Sequence, residues 1–129
     1  MKHLKILALL ITATLTAFGQ TKSIGDKKNI DLTKVDFIEI RNHSEQKDTI
    51  KTVSKRLTTK QSKLFTDKWN NAKSNGICKY IVLYWIDITM KDGTKRKFRI
   101  NGKNIKENND NCFDLVDNKF IETLWKDKR

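Results

Sequence analysis

The sequence predicts an α+β fold: an antiparallel sheet of four or five strands with two helices, in the chain order ββαββα. Three observations predict it. A run rich in Ile, Val, Tyr and Trp, a glycine turn and a second alternating run read as a hairpin over 77–100. A Thr-x-x-Gln capping pattern at Thr58 opens an apolar stripe at helical spacing. A shorter stripe of the same spacing closes the chain.

The hairpin organises the rest. Ile77–Met90 holds no Gly or Pro and reads as one long strand, and Thr94–Ile100 reads as its return. Two turns are open to it. A two-residue turn at Asp92-Gly93 sets Ile86 opposite Arg99 and Ile88 opposite Lys97, mixing core and charge. A three-residue loop, Lys91-Asp92-Gly93, pairs Met90 with Thr94 and places Gly93 at a left-handed bulge. Ile86 then faces Phe98, Tyr84 faces Ile100, Asp87 faces Lys97 and Trp85 faces Arg99. A one-residue slip moves every side chain to the other face, so the pattern selects the second register. One face becomes core. The other carries Ile81, Leu83, Trp85, Asp87, Lys95, Lys97 and Arg99.

Upstream, Val35–Arg41 reads as a strand, Asn42–Asp48 as a polar loop and Thr49–Leu57 as a weaker strand, giving a first hairpin. The Thr58 hydroxyl accepts from the Gln61 amide in a capping box, and the Gln61 side chain reaches back. Leu64, Phe65, Trp69 and Ala72 form the stripe that follows, which faces the sheet as core. Asn75-Gly76 stops this helix, with Gly76 suited to a left-handed cap. After Ile100 come a turn at Asn101-Gly102 and an Asn-rich irregular stretch to Asn111. Cys112–Val116 reads as a short extended segment. Asp117 caps a last helix, Asn118–Lys126, with Val116 and Ile121 at the staple positions. Phe120, Ile121, Leu124 and Trp125 form its stripe. It packs either beside the first helix or over Ile81, Leu83 and Trp85.

The start of the chain reads as a signal peptide over 1–19. Lys2 and Lys5 precede an apolar run of 13 residues, Ile6–Phe18, and Ala17-Phe18-Gly19 fits a small-x-small cleavage site near Gly19. The run is too short to span a bilayer comfortably. No cysteine follows it, which argues against a lipid anchor. The mature chain carries no transmembrane segment and is expected to be secreted or periplasmic. Residues 20–33 read as a flexible lead-in, and 34–129 as a single domain.

Removing 19 of the 129 residues leaves 110, enough for one core. The basic count falls from 27 to 25 against 15 acids, a net charge of +10. That charge favours anionic partners, although scattered lysines equally serve solubility. Export and an even cysteine count suggest a Cys78–Cys112 disulfide. Its loop of about 35 residues would stabilise by roughly 3–4 kcal/mol in the chain-entropy model. The other reading is two separate buried thiols.

Chemistry is sparse. His43 is the one histidine after the leader and has no second metal ligand beside it. A small hydrolase using His43 would need a nucleophile or carboxylate that sequence proximity to Ser44 and Glu45 does not supply. Glu107, Asp110 and Asp114 lack the calcium-loop spacing. No phosphate loop, nucleophile elbow or zinc spacing is present. No metal, cofactor or catalytic residue is therefore expected. Asp87 reads as half of an ion pair with Lys97. Trp and Arg are favoured interface anchors, so Ile81, Leu83, Trp85, Lys95, Lys97 and Arg99 form the expected binding surface. The alternative is that the last helix or the lead-in covers this face, with Arg99 stacked on Trp85. The sequence thus points to an exported, non-enzymatic binding or inhibitor-like module. Its partner is a protein or an anionic polymer of the cell envelope, and the second reading is contact with such a polymer by charge alone.

Overall fold

The computed structural model of the protein describes residues 27–46 and 49–127, with the side chains of 43–52 also outside the description. The expected leader over 1–19 and the His43 side chain fall outside the described residues. Seven strands form one antiparallel sheet in the order β2-β1-β4-β5-β6-β7-β3. They are β1 (Val35–Gln46), β2 (Thr49–Arg56), β3 (Lys73–Ile77), β4 (Tyr84–Met90), β5 (Lys95–Asn101), β6 (Asn104–Lys106) and β7 (Asn111–Asp114). Helix α1 (Thr59–Asn71) follows β2, and α2 (Phe120–Lys126) ends the described chain.

The expected four or five strands in ββαββα order are thus corrected to a seven-stranded, mostly β architecture. The strands without an expected counterpart, β3 and β6, are short and largely polar, and their pairing comes from neighbours rather than from β-rich sequence, while the extended segment expected over Cys112–Val116 is β7, Asn111–Asp114. The stretch expected as one strand, Ile77–Met90, is two. Ile77 ends β3 at the sheet edge, and Tyr84 begins β4 near its middle. Between them, residues 78–83 must pass β7, β6 and β5. The polar loop expected over Asn42–Asp48 is mostly strand, since β1 runs to Gln46 with His43 opposite Thr52.

The turn at Gly93 is the three-residue form. Met90 N donates to Thr94 O at 2.8 Å, and Gly93 has φ of 89°. Ile86 faces Phe98, and Tyr84 faces Ile100. Alternation then puts Ile38 and Ile40 of β1, Ile86 and Ile88 of β4, and Phe98 and Ile100 of β5 on one fully buried face. Both helices cover that face. Trp69 of α1 meets Phe98 and Phe113 edge to face, at centroid distances of 4.9 and 5.2 Å. Phe120, Ile121 and Leu124 of α2 are buried in the same core. Each such side chain contributes roughly 1.5–3 kcal/mol by leaving water.

Helix α1 has both halves of its capping box. It ends at Asn71, so Gly76, with φ of 74°, is not its cap; Asn75 and Gly76 lie where the β3–β7 register shifts. Leu64 of the expected stripe is 44% exposed. Helix α2 starts at Phe120 rather than Asn118, and Val116 is exposed instead of stapled to Ile121. Lysines from distant segments cap both C-termini. Lys27 Nζ donates to the Trp69 and Asn70 carbonyls at 2.7 and 2.6 Å. Lys55 Nζ donates to the Leu124 carbonyl at 2.8 Å and also to that of Asp127. Residues 27–30, within the stretch read as lead-in, are further fixed by Trp69 Nε1 donating to Lys28 O and by reciprocal bonds between Ile30 and Asn70.

Candidate docking face

With both helices on one side, the opposite side of β1, β4 and β5 carries the charged and aromatic residues. On β5, Lys95 and Lys97 are exposed and Arg99 is half-buried. Alternation aligns all three, roughly 7 Å apart from one to the next. None of the three forms an ion pair among the described residues. Lys95 faces Thr89, Lys97 faces Asp87, and Arg99 faces Trp85.

Asp87 faces Lys97 in register, but its ion pair is with Arg41 of β1. Arg41 Nε lies 2.5 Å from Asp87 Oδ2, and its Nη2 3.3 Å from Oδ1. This forked contact holds the guanidinium 5.5 Å from the centre of the Trp85 ring. The cation identified over Trp85 is therefore Arg41. Phe37 of β1 is covered in the same way by Arg56, at 3.8 Å.

Ile81 and Leu83 do not sit on the strand. They belong to the crossing segment 78–83 and are 81% and 47% exposed. The segment is fastened by the Cys78–Cys112 disulfide, by Tyr80 Oη donating to Arg99 O at 2.7 Å, and by Asn101 Nδ2 donating to Ile81 O at 2.8 Å. Lys106, nearly fully buried, places its ammonium 4.4 Å from the Tyr80 ring. Burial pushes the Tyr80 phenol up to about 12, with Arg99 pulling weakly the other way. Trp85, Lys95, Lys97 and Arg99 are thus brought together on two adjacent strands, and Ile81 and Leu83 flank them on the crossing segment.

Arg41, Tyr80 and Lys106 were not singled out from the sequence. Alternation in β1 would have placed Arg41 on the outer face, but nothing local said that β1 lies beside β4. The three carboxylates weighed for calcium are dispersed among separate cations. Glu107 pairs with Arg96, Asp110 with Lys106 and Asp114 with Lys103. Among the described residues no His, Cys, Asp and Glu side chains gather to hold a metal ion, and no helix is long and apolar enough to cross a membrane. Compared with protein-family models, curated proteins and solved structures, the chain finds no match.

Proposed function

We propose that the protein is an exported, non-enzymatic binding module that docks an acidic partner protein on the sheet face opposite its helices. The observation that carries this reading is the row Lys95, Lys97 and Arg99, without carboxylate partners among the described residues, beside the Trp85–Arg41 stack. Trp and Arg anchor interfaces because they bury large areas and make directed contacts. These cations, of which Arg99 donates, among the described residues, only to the Asn109 carbonyl, select for an acidic surface and speed encounter with it. The disulfide is compatible with an oxidising compartment, as export requires.

The test is affinity capture from an envelope or culture fraction with the wild-type chain, Trp85→Ala and Arg99→Glu. The expected result is a specific protein lost from both variants, each keeping the wild-type unfolding midpoint. A captured set identical across all three would overturn the reading. The same cation row supports a second reading, contact with an anionic polymer by charge. That reading predicts affinity nearly insensitive to Trp85→Ala, whereas the docking reading predicts a large loss on that substitution; both weaken with salt, the polymer reading more steeply.

A further inference from the structure

A second site lies where β2 turns into α1, at the border of the same sheet face, since Phe37 is opposite Thr89 and Thr89 is opposite Lys95. A cleft of about 320 Å³ opens there between the start of β1 and the first turn of the helix. That volume is at the small end of the range for small-molecule sites. Leu32, Phe37 and Leu57 supply its apolar wall, and Arg56, Thr59 and Ser62 its polar one.

Three features of the polar wall point to an anion. The first is the start of α1, a 13-residue helix. Its N1 and N2 amides, of Thr59 and Lys60, have no intrahelical acceptor, and the Thr58 hydroxyl is already engaged by Gln61 N at 3.1 Å. The second is Ser62, only 9% exposed yet lining the cleft. Its hydroxyl makes no hydrogen bond to any described residue, and its oxygen is not one of the enclosed unpartnered atoms, which are Gln61 Nε2 and Thr66 Oγ1, so it is open to the cleft. The third is Arg56. Its guanidinium carbon lies 3.8 Å from the centre of the Phe37 ring, and it forms no ion pair among the described residues, so its donors remain available.

We propose that this cleft binds a small organic monocarboxylate with an apolar body. The carboxylate takes the Arg56 fork, the free amides of α1 and the Ser62 hydroxyl, while the body lies on Leu32, Phe37 and Leu57. Asp36 also lines the cleft and would repel a second negative group, which is why the ligand is a monoanion. The same carboxylate chemistry is offered by a free amino acid and by a peptide C-terminus.

The test is titration of the 15N-labelled full chain with 3-phenylpropionate, its uncharged amide, L-phenylalanine and N-acetyl-Gly-Phe. Saturable shifts are expected at the amides of Leu57, Thr59, Lys60 and Ser62 with the carboxylates. Affinity should fall about tenfold or more for the amide and for Arg56→Gln, and about threefold or more for Ser62→Ala. Tighter binding of N-acetyl-Gly-Phe than of L-phenylalanine identifies the peptide end as the source, and the reverse order the free amino acid. Equal binding of acid and amide, equal binding by the variants, or no saturation up to about 20 mM overturns the proposal. If Arg56→Gln does not fold, Ser62→Ala decides alone, and unchanged affinity there overturns it. Trp85→Ala should leave this titration unaltered, which separates it from the docking face.

Discussion

Val116 is the only non-glycine with positive φ among the described residues, at 71°, and its β-branched side chain is 79% exposed. The left-handed region crowds Cβ against the backbone, at a cost of order 1–3 kcal/mol. Exposure means that little packing offsets this cost. Val116→Gly is therefore expected to stabilise the fold by about 1 kcal/mol, after allowing for glycine's extra freedom when unfolded. The urea midpoint measures it, and a midpoint at or below wild type would contradict it. The sequence pattern treats Val116 as a staple residue because it precedes a helical stripe, and nothing local shows that the chain reverses there. Tyr80 gives a second prediction at this scale. Its folded pKa of about 12 lies above the ordinary value of 10.0, so the protonated phenol contributes stability that is present below pH 10 and lost as pH rises through about 12. Tyr84 is also raised by burial, and these are the chain's two tyrosines. An ultraviolet phenolate titration of wild type minus that of Tyr80→Phe should show Tyr80 ionising near 12, and a step near 10 would contradict the buried placement.

Helix α2 has seven residues, too few to persist without docking and capping. Its N-cap, Lys119, makes no side-chain bond, so the Lys55 ammonium on its last carbonyls is its main cap. Lys55→Ala is expected to cost about 1 kcal/mol and to speed amide exchange across 120–126 more than elsewhere. Lys63→Ala breaks only an exposed pair with Asp67 and should cost less than about 0.5 kcal/mol. If the two substitutions cost the same, the capping role fails. Elements whose cause is local were legible in the sequence. The capping box fixed the start of α1, and the face pattern with Gly93 fixed the β4–β5 register. Elements whose cause is a distant partner were not. Every residue of Lys73–Ile77 is exposed and the segment carries Asn75-Gly76, so it reads as a helix stop; only pairing with β7 makes it a strand. Asn104–Lys106 pairs through Ile105 opposite Ile100 and Phe113, a placement set by the sheet.

For the whole molecule, the disulfide decides how the chain gets from the β3 edge to the sheet's middle. A run of Ile, Val, Leu and Tyr without a breaker looks like one strand, and local propensity cannot tell a strand from a crossing that borrows the same residues. The placement of Trp85, Lys95, Lys97 and Arg99 on one side of the sheet was legible, because strand alternation and the Gly93 register set it. The positions of Ile81 and Leu83 were not, since they follow from where Cys78 is tied. Cys112 is fully buried on β7, 34 residues from Cys78. Replacing both cysteines by serine relaxes a loop of that length in the unfolded chain, worth roughly 3–4 kcal/mol. The loss should not be uniform. The core beneath the helices contains neither sulfur, so its strands should keep their relative protection, while exchange rises first in 78–83 and in β7. If the docking face depends on the crossing segment, the Cys78→Ser, Cys112→Ser chain should bind the acidic partner less well even where it is fully folded, through Ile81 and Leu83. Wild-type binding by that folded chain would confine the docking face to β1, β4 and β5.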